Sequence, residues 1–259
     1  MSASGSVAPL TGAILPRTDG VKLPPRFMLH GLRPLARWLV QRRYPVRVHG
    51  ADQVPSSGAV ILAANHIGVI DGPLLAIFSP RPVHALTKIE MFRGKLGRFL
   101  AWSGQVPLDR FHYDPAAIKS CVAILRAQRT VGIFPEGTRG AGDLELDRFH
   151  RGAAYLALVS GAPVVPVIFF GTRAPGAGGS SLPPRPGVVD MVYGTPFQVP
   201  AVAWPRTREQ VEDTNALLQA HMSMCLARAR VLTGRELPGP LPEGEHPDGD
   251  PDRAPGRGA

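Results

Sequence analysis

Long apolar runs are missing from this chain of 259 residues. None approaches the ~18 residues that a membrane-crossing helix needs. The first ten residues lack a basic start followed by an apolar stretch, so no secretory signal is legible. A protein built this way is expected to touch a membrane, if at all, peripherally and from its cytoplasmic side. Cysteine is nearly absent as well. Cys121 and Cys225 each sit in a helix-like apolar pattern and read as small core hydrophobes, not as a disulfide or a metal pair. Acidic residues are in deficit: 20 Asp and Glu stand against 29 Lys and Arg, a net charge of +9. That excess is attracted to phospholipid surfaces, nucleic acid or acidic protein. No motif interleaves aromatic and basic residues as nucleic-acid binders do, so nucleic acid is not an expected partner. There is no internal repeat.

What is present suits one domain with two tails. Hydrophobic residues make up 44% of the chain, ordinary for a globular core. Residues 1–24 are small, Gly- and Pro-containing and aperiodic, and read as a disordered tail. Residues 236–259 are rich in Pro, Gly and charge and read the same way. Between them, residues 25–235 form the domain. Its first part, residues 25–44, interleaves Phe27, Met28, Leu32, Leu35, Trp38 and Leu39 with Arg26, Arg33, Arg37, Arg42 and Arg43. That pattern fits a helix lying in a membrane interface, or one packed on the domain with a solvated basic face. Pro34 breaks or restarts it.

Beyond residue 45, short apolar strands alternate with helical patterns, which indicates an α/β fold with a central, mostly parallel sheet flanked by helices. Strands are expected over 46–49, 59–64, 83–86, 104–110, 130–134, 163–170 and 188–193. A helical stretch is expected over 88–102, broken at Gly94. Asp114-Pro115 opens a helix whose apolar residues Ile118, Cys121, Val122 and Leu125 share one face. A helix over 149–160 stops at Gly161. Thr207 and Gln210 form a capping-box pattern ahead of a long helix that ends near Gly234.

Three polar loops each follow an apolar strand, at the place where α/β proteins bind ligands. The first is Asn65-His66-Ile67-Gly68-Val69-Ile70-Asp71. Gly68 lets the chain turn, so Asp71 can fold back and accept a hydrogen bond from one nitrogen of His66, leaving the other free as a base. A core histidine beside a helix-capping aspartate is the alternative reading. The second loop follows residues 104–108 and carries Arg110, which could pair with Asp109 or Asp114 instead of a ligand. The third, Phe134-Pro135-Glu136-Gly137-Thr138-Arg139-Gly140, offers close backbone approach and an arginine fork suited to phosphate.

In order and spacing these blocks resemble the glycerolipid acyltransferase family, and the 1-acylglycerol-3-phosphate acyltransferases in particular. The family's N-H-x4-D block is matched by Asn65, His66 and Asp71. Its strand-and-arginine block is similar to Gly104 through Arg110, with Pro107 where an aromatic is common. Its F-P-E-G-T-R block is matched letter for letter by Phe134 to Arg139. Its Pro-containing apolar strand is similar to Pro163 through Val167. The resemblance covers roughly residues 45–200 and lifts the catalytic reading of His66 over the bland one.

It implies transfer of a fatty acyl group from a thioester, acyl-CoA or acyl carrier protein, to the free hydroxyl of 1-acylglycerol 3-phosphate, yielding phosphatidic acid. Another lysophospholipid or glycolipid acceptor is the alternative. It further implies His66 as base, Asp71 as its orienting partner, and Arg110 and Arg139 as candidates for the acceptor phosphate. Glu136, Gly137 and Thr138 would complete and shape the acceptor site. No cofactor or metal is expected; the thioester is a co-substrate, and a phospholipid surface is the expected partner.

Overall fold

The computed structural model describes residues 16–145, 147 and 149–245. Seven strands form one sheet: β1 (Val46–His49), β2 (Val60–Ala64), β3 (Val83–Lys88), β4 (Val106–Leu108), β5 (Thr130–Ile133), β6 (Val164–Phe170) and β7 (Val189–Tyr193). Their spatial order is β1-β7-β6-β2-β5-β3-β4. Every pairing is parallel except β6 with β7, so β1 and β7 run against the other five strands. The expected α/β class and mostly parallel sheet are borne out.

Among the described residues the α-helices are α1 (Phe27–Gly31), α2 (Arg33–Arg43), α3 (Asp71–Phe78), α4 (Gly94–Trp102), α5 (Pro115–Arg126), α6 (Gly152–Ser160) and α7 (Arg208–Thr233). Local chemistry sets their ends. Asp114 caps α5 by accepting the Ala116 and Ala117 amides, both at 3.0 Å. Thr207 and Gln210 form the expected capping box at the start of α7, and Gly161 and Gly234 close α6 and α7 in the left-handed conformation.

Chain direction decides which face each helix covers. The crossovers β2-α3-β3 and β3-α4-β4 advance toward one edge of the sheet, while β4-α5-β5 and β5-α6-β6 come back. With right-handed crossovers, α3 and α4 lie on one face and α5 and α6 on the other. The core follows this division. Ile61 and Ala63 of β2 point into a cluster built with α5, α6 and α7, which contains both cysteines' neighbours and buries Cys121. Val60, Leu62 and Ala64 point into a cluster with Leu74, Leu75 and Phe78 of α3. Cys121 and Cys225 are both buried free thiols, as expected.

Three expectations need correction. Lys88 ends β3 and does not begin a helix; a short 3-10 turn, Ile89–Met91, follows it and α4 starts only at Gly94. The helix expected over 149–160 begins at Gly152. The tails are placed in part. Residues 1–15 and 246–259 lie outside the described residues, but Thr18 accepts from Arg126 and the Pro24 carbonyl from Arg129. At the other end, Leu237 packs against both core clusters, and the Gly239 and Pro240 carbonyls accept from Arg173. Composition hid this because the contacts are mostly made by backbone, which residue type does not encode.

The amphipathic segment packs on the domain, but part of its basic face is turned inward and is not solvated. Its arginines dock it. Arg37 donates to the Ile77 and Ser79 carbonyls at 2.7 and 2.8 Å, and Arg33 reaches the same two oxygens. These are carbonyls at the C-terminal end of α3, where positive charge is favoured. The large apolar groups are left outside: Phe27 is 80% exposed and Trp38 50%, with Leu35 and Leu39 also exposed. The Arg42 guanidinium lies 4.3 Å from the centroid of the Trp38 ring.

Candidate active site

The strands β2 and β5 are neighbours, yet β2 leads to a helix on one face and β5 to a helix on the other. The crevice between such diverging connections is the usual ligand site of an open α/β sheet. His66 stands just beyond the end of β2, and Phe134 to Gly140 just beyond the end of β5.

Asp71 is the first residue of α3 and is fully buried. Its Oδ2 faces the His66 Nδ1 at 2.9 Å and accepts the amides of Ile67 and Gly68 at 2.7 and 2.8 Å. Three donors converge on this one oxygen and close the turn from His66 to Asp71. The Nδ1 donates to Asp71, which leaves Nε2 as the lone-pair nitrogen. The His66 side chain keeps 19% of its surface exposed, so that nitrogen can be reached. Its ring stacks on Phe134, with centroids 4.3 Å apart. The geometry therefore supports the dyad reading; Asp71 does not cap the helix through its side chain.

The loop after β5 grips the same histidine by its backbone. Glu136 is buried, and its Oε1 accepts the His66 amide at 3.0 Å. The Gly140 amide donates to the His66 carbonyl at 2.9 Å. Asn65 fixes the strand end by pairing with both backbone groups of Phe169 in β6, accepting at 2.7 Å and donating at 3.2 Å. Gly68 has no room for a side chain: a Cβ would lie 2.7 Å from the Thr172 carbonyl oxygen. Gly137 has φ +69°, and a Cβ there would lie 2.6 Å from the His150 ring.

Cationic groups gather from three strand ends. Arg110, after β4, donates through Nη1 to the Gly137 carbonyl at 2.7 Å. It does not pair with Asp114, which instead caps α5 and accepts the Asp109 amide. Arg139 donates to the Gly179 carbonyl at 2.8 Å and to the Ser180 hydroxyl, so part of its fork holds the loop after β6. Thr138 is half-buried in the bend between them. Lys88, at the end of β3, belongs to the same group. Burial, with Arg110 and Arg139 nearby, pulls its ammonium down to about 8. Burial likewise lowers Arg110, with Arg139 adding to the effect and Glu90 opposing it. Lys88 escaped the sequence reading because it was assigned to the following helix. Its place at the end of an apolar strand was the signal that could have found it.

Among the described residues no group of three or more His, Cys, Asp or Glu is placed to hold a metal. Also among them, no helix is long and apolar enough to cross a membrane.

Comparison with known proteins bears on the family and the fold. Residues 45–170 match the family described as Acyltransferase. The chain is 30% identical over 161 residues to the 1-acyl-sn-glycerol-3-phosphate acyltransferase of Bacillus subtilis, covering 61% of this chain and 77% of that protein. It is 30% identical over 150 residues to the enzyme of the same name from Borreliella burgdorferi, covering 58% of that protein. The crystal structure of the 1-acyl-sn-glycerophosphate acyltransferase PlsC from Thermotoga maritima superposes with a TM-score of 0.59 over 79% of this chain and 80% of that one. At 21% identity, that match speaks for the fold. On the strength of these relatives and of the shared fold, the chain belongs to the glycerolipid acyltransferase family and is an O-acyltransferase.

Proposed function

We propose that this protein transfers a fatty acyl group from acyl-CoA or acyl carrier protein to the free hydroxyl of 1-acylglycerol 3-phosphate, giving phosphatidic acid for phospholipid synthesis. The observation that carries the reading is the His66–Asp71 pair: one imidazole nitrogen is held at 2.9 Å by a buried carboxylate, the ring stays part-exposed, and the loop gripping its backbone carries Arg139 and accepts Arg110. The names of the relatives from Bacillus subtilis and Borreliella burgdorferi support the acceptor.

In the reaction, Nε2 of His66 takes the proton of the acceptor hydroxyl as its oxygen attacks the thioester carbonyl carbon. The carbon–sulfur bond then breaks, and the imidazolium returns the proton to the departing thiolate. Asp71 keeps the ring in the reactive tautomer and stabilises the imidazolium. General-base assistance of this kind is worth roughly 10² to 10⁴ in rate. The cationic group holds the acceptor phosphate and so fixes its hydroxyl over His66. Glu136 acts on the backbone of His66, Gly137 accepts Arg110, and Thr138 and Arg139 line the same bend.

The lipid substrate is met at a phospholipid surface. Phe27, Leu35, Trp38 and Leu39 face outward, and the stretch from residue 21 to residue 50 carries no Asp or Glu. An apolar face with a cationic rim suits the interface of an anionic membrane. Docking is peripheral, on the cytoplasmic side.

Thiol release from acyl-CoA, followed with and without 1-acylglycerol 3-phosphate, tests the reading. Release that needs the acceptor and is lost in His66→Ala is the expected result. Acceptor-dependent release with a different lysophospholipid only would replace the substrate. Release in His66→Ala at the wild-type rate would remove the mechanism.

A further inference from the structure

Arg173 lies just beyond β6, in a Gly- and Pro-rich loop, and is 2% exposed. A guanidinium has five N–H donors, and here each has a backbone carbonyl. Nε donates to Ile67 at 2.9 Å. Nη1 donates to Ala177 at 2.8 Å and to Pro240 at 3.4 Å. Nη2 donates to Gly140 at 3.0 Å and to Gly239. The five acceptors belong to four segments: the His66–Asp71 turn, the end of the Glu136 loop, the loop after β6, and the segment that follows α7.

Two of these carbonyls flank the dyad's own backbone contacts. Ile67 gives its amide to Asp71 and its carbonyl to Arg173. Gly140 gives its amide to the His66 carbonyl and its own carbonyl to Arg173. The neighbouring Thr172 carbonyl presses on Gly68 so closely that no side chain fits there. Burial depresses the guanidinium, while Glu245 and Asp71 oppose this by holding its charge. Glu245 also accepts the Gly179 amide at 3.0 Å, and Gly179 in turn accepts Arg139.

We propose that Arg173 is a positioning residue, through which residues 236–245 lock the His66–Asp71 turn and the Glu136 loop in the geometry that catalysis needs. It touches no substrate. Its effect is to fix backbone atoms on either side of the reacting imidazole. Lysine, with three donors on one point charge, cannot span five carbonyls in this plane.

The catalytic part of this inference rests on the acyl-transfer reading above, so the test has an arm that does not. Full-length Arg173→Met, Arg173→Lys and a chain ending at residue 235 are compared with wild type and with Arg173→Met ending at residue 235. Amide exchange at Ile67 and Gly68 is followed by NMR, beside thermal melting. Each single change should speed exchange at these two amides at least tenfold while amides of β2 stay protected. In the thiol-release assay each should lower kcat at least tenfold with KM for both substrates within threefold, and the combined variant should be no worse than the poorer single one.

Unchanged exchange at Ile67 and Gly68 would overturn the proposal, as would losses that multiply in the combined variant. If Arg173→Met fails to fold, the lysine variant and the shortened chain decide by the same readouts. If wild type turns over no acceptor, the acyl-transfer reading fails while the exchange result still decides the role of Arg173.

Discussion

The carboxylate of Glu136 accepts the backbone amide of His66 at 3.0 Å, across a sequence separation of 70 residues. Two loops that leave adjacent strands are thus joined at His66 itself. Glu136→Ala strands that amide in a part-buried site, which costs about 1 kcal/mol. The expected result is a lower urea midpoint together with a fall in kcat, and unchanged KM for the thioester. A fall in KM-governed binding with kcat intact would assign Glu136 to the substrate instead.

Gly137→Ala places a methyl where φ is +69° and the His150 ring is 2.6 Å away. The left-handed conformation alone costs about 1 kcal/mol for a residue with a Cβ, and the overlap adds to it. His150→Ala in the same chain should restore part of the lost stability and activity by removing the overlap. Equal stability of the single and double variants, read by thermal melting, would contradict the packing described.

Lys88 titrates near 8 in the open site. It is mostly charged at pH 7 and mostly neutral at pH 9, while an acceptor phosphate is doubly charged over this range. kcat/KM for 1-acylglycerol 3-phosphate should therefore fall above pH 8. One charge pair in a hydrated pocket is worth about 1 kcal/mol, or roughly fivefold. Lys88→Arg should flatten the fall. A flat wild-type profile would take Lys88 out of phosphate binding.

His84 is buried and donates to the Gly104 carbonyl at 2.7 Å. Burial, opposed by that hydrogen bond and reinforced by Arg129, Arg26 and His30, lowers it to about 4. Its folded value lies below its unfolded value, so the unfolded chain binds the proton more readily. Stability is thus full above about 6.5 and is lost as pH falls toward 4, by up to about 3 kcal/mol at ~1.4 kcal/mol per unit. Urea unfolding from pH 7 to 4 measures this slope, and His84→Gln should reduce it.

Trp38→Glu with Leu35→Glu should weaken binding to vesicles containing anionic phospholipid, without changing turnover of a short-chain acceptor in solution. Binding by the wild type should also weaken with added salt, because the cationic rim is screened. Equal vesicle binding by the variant would place the lipid contact elsewhere on the surface.

The dyad was legible in the sequence because its geometry is local. His66 and Asp71 are five residues apart with Gly68 between them, and one turn of chain builds the site. The FPEGTR run was legible as a block, but the use of its glutamate was not, since Glu136 acts on a backbone amide. Lys88 was hidden by a strand end that blends into a polar stretch. Arg173 was invisible: it lies in no periodic pattern, and all five of its partners are carbonyls, which every residue owns alike. The strap over 236–245 was lost because its Pro, Gly and charge hide one anchoring apolar residue, Leu237, and a glutamate, Glu245, that acts on the Gly179 amide. Side-chain pattern predicts faces, and it says little about contacts made by main chain alone.

One consequence follows from how α2 is moored. Arg33 and Arg37 hold the two carbonyls at the far end of α3, and Asp71 is the first residue of that same helix. Eight residues of helix make a rod about 12 Å long, stiff on this scale and packed along its length by Leu74, Leu75 and Phe78. A pull or tilt applied to α2 by its surroundings is therefore delivered, as through a lever arm, to the carboxylate that holds the His66 imidazole.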